Sequence, residues 1–135
     1  MVELNKEILE IVNKPGRIGT LGTADKQGQP NVAYFGSPQL SEEGKIVMGL
    51  GNNKSLENLE ENPFAVFFVA DESPVTFTTP GYRLYLKTRE IQKEGPIIDG
   101  VKKAISEVAG PDAANMIVAG VVFDVTDIRP LVAMG

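Results

Sequence analysis

Apolar residues recur in two rhythms along this chain. Leu4, Ile8, Ile11 and Val12 fall at helical spacing, with Leu9 widening the stripe and Glu3, Lys6, Glu7 and Glu10 on the other face. This predicts an amphipathic helix ended by Pro15-Gly16. The rhythm then shortens. "RIGTLGTAD" and "NVAYFGSPQL" read as two strands joined by the turn "DKQGQP". "SEEG" turns the chain again, and "KIVMGL" makes a third strand. A short helix is expected over about Lys54 to Glu61. "PFAVFFVAD" is nearly continuous in apolar residues and predicts a strand buried on both faces. "ESPVTFTTPG" is irregular and crosses to the next strand. "YRLYLKTREIQK" sets Tyr82, Leu84 and Leu86 against Arg83, Tyr85 and Lys87, the alternation of a half-exposed strand. Ile97 or Ile98, Val101, Ala104 or Ile105 and Val108 mark a third helix, stopped by Gly110-Pro111. "NMIVAGVVFDVTDIRP" reads as a long last strand. The order is α-β-β-β-α-β-β-α-β: about six antiparallel strands, mainly β with flanking helices. Short, evenly spaced strands predict a small barrel over residues 1–135, one domain.

Composition narrows the chemistry. The net charge of −5 argues against a protein that grips nucleic acid, which needs a basic face. No apolar run is long enough to span a bilayer, and "MVELNKEILEIVNK" lacks the apolar core of an export signal. A cytoplasmic protein is expected. Cys and His are both absent. Thiol chemistry, the usual neutral-pH acid–base group and the common zinc, haem and iron–sulfur ligands are therefore missing. No calcium-loop motif is present, and no metal site is expected. Any redox chemistry must be carried by an organic cofactor.

One stretch concentrates polar groups. In "GLGNNKSLENLEENP", Gly51, Asn52 and Asn53 precede the short helix, and Lys54 and Ser55 open it. A helix start offers unpaired N–H groups and partial positive charge, which suit an anion. Asn52 or Asn53 caps the helix, Gly51 lets the backbone pass close to a ligand, Lys54 adds charge and Ser55 a hydroxyl. Asn58, four residues after Lys54, shares its face. The set suits a monophosphate. Such a run is also ordinary capping chemistry with a solvated lysine. Arg83 is a second candidate for a phosphate or ring contact, or a solvated strand arginine. Tyr34, Phe35, Tyr82 and Tyr85 offer stacking surfaces or packing. Glu42-Glu43 and Glu60-Glu61 read as solvated charge.

The wider stretch "GKIVMGLGNNKSLENLEENPFAVFFV" resembles the core signature of the pyridoxamine-phosphate-oxidase-like, FMN-binding split-barrel family. Its K-x-x-x-N-L-x-x-N-P reads here as Lys54, Asn58, Leu59, Asn62 and Pro63, before the strand Phe64 to Val69. "LGTADKQGQPNVAYFGSPQL" is similar to the family's first hairpin. "GYRLYLKTREIQKEG" resembles a later strand, with Lys87 where a glycine is usual. The likeness covers about Arg17 to Glu94, and the C-terminal helix and strand only in outline. It implies a split β-barrel that forms a homodimer with FMN in a groove at the subunit interface. Gly51, Asn52, Asn53, Lys54 and Ser55 would hold the FMN phosphate, with Asn58 supporting the loop or reaching the phosphate. Tyr34, Phe35, Gly36 and Ser37, and Met48, Gly49 and Leu50, would run beside the ribityl chain and flavin edge, where glycine admits close approach. Arg17 lies near where some members place a phosphate ligand.

The family's pyridoxamine-phosphate oxidases hold substrate with an Arg and His pair near the C-terminus. This chain has no His, and "DVTDIRPLVAMG" supplies only Arg129, so vitamin B6 oxidation is not expected. The missing His also weakens a haem reading, and no basic cluster is seen for the longer tail of the deazaflavin F420. The resemblance thus implies a small FMN flavoprotein, an oxidoreductase or electron carrier with donor and acceptor unspecified. The alternatives are a sensor or store for flavin or another phosphorylated ligand, an F420-binding relative, and a dimeric scaffold without cofactor.

Overall fold

The computed structural model describes residues 2–72 and 74–132. Ser73, in the expected crossing segment, and residues 1 and 133–135 lie outside the described residues. The elements run α1 (Lys6–Asn13), β1 (Ile18–Ala24), β2 (Pro30–Tyr34), β3 (Gln39–Leu40), β4 (Lys45–Leu50), α2 (Lys54–Glu61), β5 (Phe64–Ala70), β6 (Gly81–Gln92), α3 (Pro96–Ala109), α4 (Pro111–Asn115) and β7 (Ala119–Pro130). The mainly β, antiparallel reading holds. Three boundaries differ, and one of them is the last strand, which begins at Ala119 because Asn115 still closes the helical turn α4. The expected strand "NVAYFGSPQL" breaks at Phe35–Pro38 into β2 and β3, giving a seven-stranded sheet. Proline cannot supply a ladder N–H, and Gly36 and Ser37 add turn character. Gly110-Pro111 ends α3 but also starts α4: Gly110 adopts φ +89°, and Pro111 occupies a first-turn position where no N–H is needed.

The strand order is β2-β1-β5-β6-β7-β4-β3. Its two edges, β2 and β3, are consecutive in the chain. Laid flat, seven strands would separate them by about 29 Å at ~4.8 Å per strand. The link from Tyr34 to Gln39 reaches at most about 17 Å. The sheet must therefore curl until its edges approach, which makes a barrel with a split between β2 and β3.

Inside pack Leu21, Phe67, Val69, Leu84, Leu86, Ile46, Met48, Leu50, Val121 and Phe123, all nearly or fully buried. Ile8 and Val12 of α1 join this core, as do Leu56 and Leu59 of α2. The third helix packs instead on the outer face of β4 and β7. Gly49 and Gly120 point outward there, between inward-facing neighbours. A side chain at Gly49 would meet Val101 at 2.6 Å, and one at Gly120 the Ile98 backbone at 2.9 Å. No described helix is long and apolar enough to cross a membrane.

The strand β5 departs from its expected burial. Ala65, Phe67 and Val69 face the core, but Phe64 is exposed and Val66 and Phe68 are half-buried. Register sets them in rows across the outer face: Tyr34–Thr20–Phe68–Arg83 and Val32–Gly22–Val66–Tyr85. Nothing among the described residues covers this apolar face.

Candidate functional site

The helix start that the sequence singles out forms as a capped N-terminus. Asn53 is the cap: its extended backbone turns into α2, and its side-chain oxygen accepts from Leu56 N at 3.0 Å. Asn52 stands exposed beside it. The N–H groups of Lys54 and Ser55, in the first turn, have no carbonyl within the helix to meet. The Lys54 side chain is half exposed, with Glu57 Oε2 4.0 Å from its ammonium. It also lies near the β1–β2 turn. There the N–H of Gln29, foremost, holds the Asp25 carboxyl below its ordinary value, and Lys54 adds a smaller pull.

Ser55 and Asn58 turn inward. The Ser55 hydroxyl is buried and accepts from Asn31 Nδ2 at 3.4 Å. Asn58 is fully buried and donates from Nδ2 to Thr23 Oγ1 at 3.0 Å, tying α2 to β1. Its Oδ1 has no partner among the described residues. In this single chain, Asn58 therefore supports the loop rather than facing an incoming anion.

On the other side of the loop lies an open groove of about 980 Å³. The predicted residues Gly36, Ser37, Met48, Gly49, Gly51 and Asn53 line it, opposite α3, α4 and Ile117. The structure brings these six together and sets Lys54, Ser55 and Asn58 on the hairpin side of the same loop. Leu50 is fully buried in the core, so only its backbone is available to a ligand. The outward space at Gly49 is filled by Val101, Ile105 and Ile117, so that glycine serves helix packing. Tyr34 is 61% exposed on the bare sheet face, its hydroxyl near Gly36. Phe35 is half-buried against the core.

Arg17 takes a role that sequence reading missed. It is buried, and its guanidinium donates to the Gly36 carbonyl at 2.9 Å, to Pro38 O and, at 3.4 Å, to Lys14 O. It thus holds the segment that joins the two sheet edges. Burial pushes the guanidinium below its ordinary value, and the Tyr34 phenol partly offsets this. The signal was present: an arginine at the head of an apolar strand needs acceptors, and the irregular "FGSP" has spare carbonyls. Arg83 spends its donors locally, on Pro130 O at 2.8 Å and the Tyr85 hydroxyl at 3.4 Å. Glu42, Glu43, Glu60 and Glu61 are exposed. Among the described residues no cluster of acidic side chains could hold a metal ion.

No protein-family model matches the sequence, and no curated protein does. Solved structures match over nearly the whole chain. An FMN-binding protein from Syntrophomonas wolfei is 22% identical, with 96% of this chain and 87% of that one covered and a TM-score of 0.82. The fold is a split barrel, shared with this FMN-binding protein. HutZ, a heme storage protein from Vibrio cholerae, is 18% identical over 95% of this chain and 94% of its own, TM-score 0.66. An F420 reductase is 14% identical over 93% and 98%, TM-score 0.72. The split barrel that the Lys54–Pro63 motif implied is therefore the fold of this chain. Proteins sharing it differ in what they hold, so the ligand must be argued from the site.

Proposed function

We propose that this protein is a small FMN flavoprotein, an oxidoreductase or electron carrier that holds the cofactor between two copies of the chain. The observation that carries this reading is the capped start of α2 beside the groove. Backbone donors at Lys54 and Ser55 and the half-exposed Lys54 ammonium belong to one helix start, which would take a monophosphate. Gly51 and Asn53 open directly from that point onto the groove wall formed with Gly36 and Ser37. The likeness to an FMN-binding protein supports the same choice. A haem reading has no histidine to supply an axial ligand.

The residues fit the group in three ways. Lys54 would offset the charge of the phosphate, and the first-turn amides would donate hydrogen bonds to it. Asn58, locked to Thr23, keeps the loop from shifting. Backbone groups of Tyr34 to Ser37 lie along the path toward the ring, held in place by Arg17. Bound FMN would supply one- and two-electron chemistry that this chain's side chains lack. The bare sheet face with Val32, Tyr34 and Phe64 suits a second copy, because exposed apolar patches of this kind mark interaction sites.

An FMN titration of the apo protein, read by flavin fluorescence, tests the reading. Wild type should bind tightly, and Lys54→Ala should bind at least tenfold more weakly, as expected for loss of a charge-assisted contact. Absence of binding by wild type would sink it. Reduction by a nicotinamide nucleotide, followed by transfer to an acceptor, separates an oxidoreductase from a flavin sensor, which would bind FMN without fast turnover.

A further inference from the structure

The groove has a second wall that the cofactor reading does not use. On that side stand Val101, Ala104, Ile105 and Val108 of α3, with Met116 and Ile117 beyond α4. None of the described residues lining the groove, on either wall, carries a charge. A carboxylate, phosphate or sulfonate entering it would lose hydration and find no cation. The neutral side-chain donors and acceptors Ser37, Gln39 and Asn53 come from the sheet side and the start of α2, and none comes from α3 or α4. Val108 and Met116 line the groove yet remain 90% and 73% exposed, a strongly apolar lip for a water-facing surface. The volume of about 980 Å³ suits a small molecule. It is about twice the volume of the hollow of about 440 Å³ over Gly22 on the β2-β1-β5-β6 face proposed for the second copy.

We infer that this groove seats an uncharged, largely apolar molecule with a hydroxyl or carbonyl at one end. The apolar body packs on α3 and Met116, and the polar end turns to Gln39, the polar lining side chain that the FMN path leaves free. The loop Gly51–Asn53 joins the groove to the phosphate cradle, so the occupant is the substrate of the cofactor site. That role rests on the FMN reading; the ligand class rests on the groove alone. The inference sets aside substrates that carry phosphate or carboxylate groups.

Two fluorescent probes that differ by one charge test it: N-phenyl-1-naphthylamine and 8-anilinonaphthalene-1-sulfonate. The protein has no Trp, so the emission is the probe's own. The neutral probe should saturate, and the sulfonate should bind at least tenfold more weakly. Ala104 is exposed on α3, so Ala104→Glu keeps the fold and places a carboxylate in the groove. That variant should weaken the neutral probe at least tenfold and leave FMN affinity unchanged. Met116→Ala should weaken it by a smaller factor. The neutral probe should also stay bound at saturating FMN. Equal affinity for both probes, no effect of Ala104→Glu, or displacement of the neutral probe by FMN would each overturn the inference. Neutral-probe binding without FMN binding would support the groove and remove the flavoprotein reading. FMN binding without probe binding would do the reverse.

Discussion

At the scale of single residues, polar side chains in this chain work chiefly by finishing backbone that strands and helices leave open. Asn53 takes one first-turn N–H of α2 and leaves the others free. Asn53→Ala should cost about 1 kcal/mol in urea unfolding. It should also loosen the loop that faces the phosphate, so FMN affinity falls with it. Asp124 pairs with Lys87, just before the ladder between β6 and β7 skips Arg89 opposite Phe123 and Val122. Its carboxylate accepts from Arg89 Nε at 3.0 Å and meets the Lys45 ammonium at 3.1 Å. The Arg89 hydrogen bonds, foremost, hold its carboxyl below the ordinary value. The folded state therefore binds that proton less readily than the unfolded chain. The resulting stability is present above about pH 4, the unfolded carboxylate value, and is lost as pH falls through the lower folded value. Urea midpoints of wild type and Asp124→Asn should differ at pH 6 and converge toward pH 3. A constant gap across that range would show that Asp124 acts through something other than its charge.

At the scale of elements, the decisive piece is the segment Phe35–Pro38 between two sheet edges. Periodicity saw one strand there because Val32, Tyr34 and Leu40 continue the apolar content. The ladder nevertheless stops: Phe35 N still reaches Gly19 O at 2.9 Å, and pairing resumes only with β3 on β4. Arg17 fills the gap by meeting carbonyls that no strand can reach. Arg17→Met would leave at least two of them without a donor, at about 1–3 kcal/mol each. The variant should unfold at lower urea, and its β3 amides should exchange hydrogen much faster than those of β5. Unchanged exchange in β3 would show that the edges are held by packing alone. The short α4 was also hidden, since Gly110-Pro111 reads as a stop. Only the geometry after the turn reveals that the proline starts another helix.

At the scale of the whole molecule, the barrel's outer surface divides in two. One part lies under α3, accommodated by Gly49 and Gly120. The other, β2-β1-β5-β6, is bare, with Val32 69%, Tyr34 61% and Phe64 60% exposed. The unbroken apolar run of β5 predicts burial on both faces, and the described residues cover only one. A second copy on this face would complete it. Val32→Asp, which sits beside the hollow over Gly22, should therefore turn a dimer into a monomer in sedimentation, and FMN affinity should fall with it. A monomeric wild type under the same conditions would remove the interface from the argument.

The sequence by itself determined most of the strand and helix order, the core-facing stripe of α1 and a capped helix start within Gly51–Ser55. These follow from periodicity and capping, which act over a few residues. It also limited the chemistry, because an absent Cys or His cannot be restored by folding. The tertiary structure alone decided which groups meet. Asn58 faces Thr23 rather than Lys54's solvent because a neighbouring strand lies under that face of α2. Arg17 is buried because the sheet's two edges must come together at its carbonyl partners. Gly49 meets a helix that lies some fifty residues further along the chain. Such contacts join residues distant in sequence, and the local pattern carries no record of that distance.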